Sequence, residues 1–126
     1  MKIHVLGAAT FDGPELEGFA VPAAWRKATR NMMMAAASIE RALLNAPEYL
    51  ERAREETGLV LGSNSGELET SSEFLTTLSR TKVARPVLFQ NSLHNATTGF
   101  ASIHFRLTGP TFTVSNGREN PREALW

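Results

Sequence analysis

Three histidines, two well-placed serines, a loop of small polar residues and the absence of any cysteine bound the chemistry open to this 126-residue chain. His94 stands between Asn91 and Asn95, His104 follows ten residues later, and His4 lies near the start. None has a second His or an acidic residue at the i, i+4 spacing with which one helix face holds zinc. Hydrogen-bonded histidines are therefore the better reading, and no metal site is expected. Ser92 and Ser115 are candidate hydroxyls, but neither sits in the G-x-S-x-G elbow that exposes an activated serine above a sheet. Without Cys there is no thiolate nucleophile, no thiolate metal ligand and no disulfide from which to read a compartment.

The loop Gly62-Ser63-Asn64-Ser65-Gly66 lies between a strand-like run and a helix-like one, where backbone N–H groups can hold a phosphate or carboxylate. No Lys-Ser/Thr follows it and it does not spell G-x-G-x-x-G, so it matches neither the Walker nor the dinucleotide pattern. A tight connection is the simpler account, and no cofactor is expected.

The elements that would position these residues follow from patterning. Lys2 to Leu6 alternates and ends at Gly7, which predicts a short buried strand containing His4. Phe11 to Gly18 reads as loop. From Pro22, helical spacing places Met32, Ala36, Ile39 and Leu43 on one stripe with Arg26, Lys27, Arg30, Glu40 and Arg41 on other faces, a long amphipathic helix. The Met32-Met33-Met34 run could form a flexible binding surface, yet Met32 falls on the stripe and reads as core. Asn45, Pro47 and Glu48 make a helix start running toward Thr57, with Gly58 as a left-handed stop. Leu59-Val60-Leu61 is a continuous apolar run, as in a strand covered on both faces.

Leu68, Ser72, Leu75 and Leu78 mark another helix, and Pro86 limits it before the apolar run Val87-Leu88-Phe89. Asn95 to Leu107 carries Phe100, Ile103 and Leu107 on one stripe and stops at Gly109-Pro110; Thr111 to Ser115 alternates as a strand with Phe112 and Val114 on one face. Strands separated by helices predict an α/β layered fold with part of its sheet parallel. At the end, Asn120-Pro121-Arg122-Glu123 opens a helix that Trp126 leaves at about one and a half turns, so the chain is expected to be cut inside an element. Residues 1–126 read as a single partial domain.

Composition narrows the class. Hydrophobic residues make up 42% and charged residues 21%, the balance of a soluble globular domain. Thirteen basic side chains match thirteen acidic ones, so the charge footprint of a nucleic-acid binder is missing. The longest apolar stretch, Met32 to Ala37, is far short of the roughly 20 residues of a membrane span, and a cytoplasmic location is expected.

Three stretches carry a resemblance: Asn91-Ser92-Leu93-His94-Asn95-Ala96, Gly99-Phe100-Ala101-Ser102-Ile103, and Gly109-Pro110-Thr111-Phe112-Thr113-Val114-Ser115. Together they resemble the N-terminal part of a β-ketoacyl synthase, a thiolase-fold condensing enzyme of fatty-acid and polyketide-type pathways. The likeness runs from Lys2, takes in "RKATRNMMMAAASIERAL" and "GLVLGSNSGELE", and is specific from Gln90 to Ser115. It implies an N-terminal share of a thiolase-like layered fold, a mixed sheet with helices. In the family the strand matching Thr111–Ser115 leads into a Cys at the start of a buried helix, which accepts an acyl chain from an acyl carrier protein or coenzyme A. Here the family spacing puts Arg118 at that position, and a guanidinium stays protonated and cannot accept an acyl group. The later residues that promote decarboxylation belong to the family's second half.

The resemblance thus implies an acyltransferase family whose member here is inactive by itself, a fragment or a Cys-lacking partner subunit. Its partners would be an acyl carrier protein or a ketosynthase subunit in a homo- or hetero-oligomer, with no nucleic acid or membrane involved. The strand Thr111–Ser115 would run along the family's dimer interface, making Asn91, His94, Asn95, Phe112 and Val114 candidate interface residues. Half a thiolase fold would also leave an apolar face open. The alternatives are a small structural or interaction module without pathway catalysis, and an independent enzyme using Ser or His, which the motifs do not favour.

Overall fold

A computed structural model describes residues 2, 4–47 and 56–115. The chain enters differently from the sequence expectation. Lys2 and His4–Thr10 form no strand, and Val5 is 82% exposed. The segment is tied to a helix instead: the Ala8 carbonyl accepts from Asn45 and the Thr10 carbonyl from Arg41. Alternation specifies a strand only where a neighbouring edge engages it, and among the described residues none does. Phe11 to Gly18, expected as loop, contains helix α1 (Gly13–Glu17). Asp12 Oδ1 accepts from the Glu15 N–H at 3.0 Å and Glu15 Oε2 from the Asp12 N–H at 2.9 Å, a capping box with Pro14 in the first turn.

The long helix, α2 (Arg30–Leu44), begins eight residues later than Pro22. A 3₁₀ turn at Ala23–Trp25 comes first and buries Trp25 to 1% exposure. Thr29 then caps α2 by accepting from the Met32 N–H. Trp25 forms the core with Ala36 and Ala37, and Phe11, Phe19, Met33, Phe100 and Phe105 pack around it. The indole stacks on Phe19 at 5.7 Å and meets Phe100 edge-on at 6.3 Å. Ala36 and Ala37, on this face of α2, pack directly against the indole. Met32 is buried, as its place on the stripe predicted.

Strand β1 (Leu59–Gly62) pairs in parallel with β2 (Thr111–Val114) in the register Leu59↔Thr111, Val60↔Phe112, Leu61↔Thr113 and Gly62↔Val114. Helices α3 (Leu68–Thr81), α4 (Pro86–Asn91) and α5 (Ala96–Phe105) form the crossover between them. These are the helix–strand alternation expected of an α/β fold, and among the described residues the sheet is these two parallel strands. The apolar run after Pro86 is the helix α4, with the proline at its first position, where the missing N–H costs nothing. Arg106, in the left-handed region at φ 57°, caps α5, whose last residue Phe105 lies two residues before Leu107.

Three finer expectations change. Gly58 is not left-handed; it is needed for close approach, since a Cβ there would lie 2.5 Å from the Pro110 carbonyl oxygen. Ile103 points outward from the stripe it was assigned to. The run Leu59–Leu61 is covered on one face only, because Val60 is 54% exposed. The helix expected after Asn45, Arg118 and the start at Asn120 fall, beyond Pro47, outside the described residues.

Candidate functional site

Parallel strands end side by side, and the loops that leave their C-terminal ends make the natural binding edge of an open α/β sheet. Here those ends are Gly62 and Val114. The ladder continues one step past them, with the Ser63 N–H donating to the Val114 carbonyl at 2.9 Å. Ser115 then donates its hydroxyl to the Asn64 carbonyl at 2.9 Å. The end of β2 therefore lies directly beside the Gly62–Gly66 loop, two features that the sequence offered separately.

The loop folds on itself through the Gly66 N–H, which donates to Ser63 Oγ at 2.9 Å, and is held to α2 by Asn31, which donates to the Gly66 carbonyl at 2.7 Å. Gly66 has φ +55°, and His94 lies against it. The next residue, Glu67, is only 4% exposed. Its Oε1 accepts from Thr29 at 3.2 Å and from Thr97, and its Oε2 accepts from Thr70 at 3.2 Å. Three hydroxyls from three elements thus satisfy a buried carboxylate, as burial of a charge demands. Periodicity gave no sign of this cluster; the one available signal was a charged residue placed between a Gly loop and the first apolar position of a helix.

A cavity of about 370 Å³ opens in front of these groups. Its walls are apolar, from Phe11, Met34, Ile39 and Leu59, and Ser63, Glu67 and His94 lie at its polar end. A second cavity of about 620 Å³ runs along α4 and α5, with Asn91, Asn95, Leu93 and Gly99 in its lining. The candidate residues are therefore divided: His94 belongs to the strand-end cavity, Asn91 and Asn95 to the helix groove. The Asn91 amide is also engaged, donating to the Lys27 carbonyl at 2.9 Å. Phe112 and Val114 lie on β2, with Phe112 60% exposed and beside Val60 on one face of the sheet.

The serine and histidine chemistry weighed from sequence finds no constellation. Ser92 donates to the Phe89 carbonyl of its own helix and Ser115 to Asn64, and among the described residues no hydrogen bond joins either hydroxyl to a histidine. His104 serves the core: Trp25 Nε1 points its N–H at that ring, 3.3 Å from Nε2, and the ring stacks on Phe100. Among the described residues no group of three metal-ligating side chains converges.

Charge is less even in space than in total. No Asp or Glu occurs between Glu73 and Glu119, a stretch carrying Arg80, Lys82, Arg85, Arg106 and Arg118. The first three are exposed, Arg80 in the last turn of α3 and Lys82 and Arg85 on the connection from α3 to α4. Equal totals concealed this segregation.

Residues 23–126 match the family described as beta-ketoacyl synthase, N-terminal domain. The chain belongs to that family. A solved structure gives the same fold: one chain of the ketosynthase ApeO in complex with its chain length factor ApeC, from Xenorhabdus doucetiae, matches with a TM-score of 0.52 and 27% identity. The match covers 84% of this chain and 48% of that one, so this chain spans about half the length of its structural relative. A search of the curated proteins returns no match. The two parallel strands, the crossover helices and the loop at their C-terminal ends are thus the N-terminal share of a thiolase-like ketosynthase fold.

Proposed function

We propose that this β-ketoacyl synthase-like chain is a noncatalytic subunit or portion of a ketosynthase system of the fatty-acid or polyketide type, working in the cytoplasm against a ketosynthase partner. The observation that carries the reading is the open sheet face at Val60 and Phe112. These two apolar side chains, paired in register, are more than half exposed, and a sheet face of that kind is stable when another surface covers it. The solved relative is itself a complex of a ketosynthase with a second chain. Phe112 and Val114 are the centre of the proposed interface, and residues 1–126 act as one partial domain.

Absence of chemistry in the chain alone follows from its residues. There is no thiol anywhere in the sequence, and Arg118, at the position the family gives to the nucleophile, cannot form a thioester. The exposed cations Arg80, Lys82 and Arg85 suit an acidic acyl carrier protein, which opposite charge would steer onto this surface. No helix among the described residues is long and apolar enough to cross a membrane.

The test is sedimentation velocity of the purified chain alone, with a ketosynthase subunit from the same organism, and with acyl carrier protein. Association with the ketosynthase subunit that Phe112→Asp abolishes supports the reading. A chain that remains monomeric and cooperatively folded in all three mixtures sinks it.

A further inference from the structure

The Glu67 carboxylate is the most deeply buried charged group among the described residues, and the one ion pair found there, Arg41 with Glu15, lies elsewhere on the surface. A buried carboxylate without a cation must be stabilised by dipoles. Its surroundings supply them. Thr29 is the N-cap of α2, Glu67 itself precedes the first residue of α3, and Thr97 is the second residue of α5. Three helices of 15, 14 and 10 residues therefore direct their N-terminal ends at one carboxylate, and each end carries partial positive charge that acts over its first turn. The hydroxyls of Thr29, Thr70 and Thr97 relay those ends to the two oxygens.

The chain on either side of these bonds locates His94. Gly66, which His94 packs against, immediately precedes Glu67, and Thr97 comes three residues after His94. The Glu67–Thr97 bond therefore closes the Leu93–Asn95 turn onto the Gly66 turn. We infer that Glu67 is a positioning residue: its charge occupies an anion site at the meeting point of three helices, and that occupancy sets His94 against Gly66 at the strand-end cavity. The inference goes beyond the proposed function and does not depend on it, because it concerns how this chain organises the cavity whatever enters there.

The experiment uses the full chain with its histidines labelled for NMR. In Glu67→Ala the His94 ring signals move toward those of a free imidazole and the melting temperature falls. Acetate restores both, while acetamide, the same size without the charge, restores only part of each. Glu67→Gln keeps the acceptor oxygen but not the charge and shows an intermediate shift. Two results overturn the inference: unmoved His94 signals in a folded Glu67→Ala, or acetamide acting as well as acetate. Should Glu67→Ala fail to fold, Thr97→Val leaves the carboxylate in place and removes only the link to α5. His94 is then expected to lose its fixed position in a folded protein, and an unchanged His94 spectrum in Thr97→Val refutes the claim.

Discussion

Gly66 and His94 are packed so closely that a single methyl group would not fit between them. A Cβ on residue 66 would lie 2.7 Å from His94 Nδ1, and the Gly66 backbone at φ +55° is one that side-chain-bearing residues enter at a cost. The two costs are separable. Gly66→Ala is expected to destabilise by about 1–2 kcal/mol from the backbone alone, with the clash added. Combining it with His94→Ala should recover the clash and leave the backbone cost. A double-mutant cycle on urea midpoints reads this directly, and strictly additive effects would show that the two residues do not press on one another.

Among the described residues Trp25 is the largest fully buried side chain, and it joins the N-terminal segment, α2 and α5. Truncation in such a place costs about 3–5 kcal/mol, a large share of the stability of a small domain. Trp25→Ala should abolish the cooperative thermal transition seen by circular dichroism. Trp25→Phe, which can still stack on Phe19 but loses the indole N–H directed at His104, should fold with a lower midpoint.

Phe112→Asp tests the open face without touching the core. Because Phe112 is mostly exposed, the substitution should alter unfolding free energy by no more than about 0.5 kcal/mol while reducing association measured by light scattering. A strong loss of monomer stability instead would mean that this face is packed within the chain.

Glu15 gives a pH signature for α1. The Asp12 backbone N–H, and then the Arg41 guanidinium, hold its carboxyl below its ordinary value of 4.5. A depressed folded value means that the group's contribution is fully present above 4.5 and is lost as pH falls through the lower, folded value. Glu15 lies on the surface, so the effect should be local: NMR signals of α1 shift in acid, at a pH below that of a free glutamate, while those around Trp25 stay constant. Arg41→Gln should move that transition upward.

Arg118→Cys places a thiol at the position proposed to match the family's nucleophile. Mass spectrometry of this variant with an acyl thioester and a malonyl donor is expected to show no condensation product, since the decarboxylating partners belong to the family's other half. Condensation by this variant alone would overturn the noncatalytic reading.

Much of the crossover was written in the local sequence. Helical spacing located α3 and α5, and the alternation after Pro110 located β2. The Asp12–Glu15 capping box was also present in the residues, overshadowed by the Gly and Pro beside it. The resemblance around Asn91–Ala96 and Gly109–Ser115 led to the right family because those stretches are local and contiguous. The candidate site was less legible, since its members lie far apart: Thr29, Glu67 and Thr97 meet only after α2, α3 and α5 have packed.

What the sequence by itself determined is chemistry and local form: no thiol, an arginine at residue 118, helices where apolar residues recur every three to four positions, and parallel strands implied by the helices between them. Tertiary structure decided the rest. It left Lys2 and His4–Leu6 out of the sheet although the segment alternates, because a strand needs an edge to bond to. It started α2 at Arg30, because Trp25 had first to turn into the core. It also divided the candidate residues, sending His94 to the strand ends and Asn91 and Asn95 to the helix groove. Adjacent residues such as His94 and Asn95 can line different cavities, and only the packing of the elements that carry them fixes which.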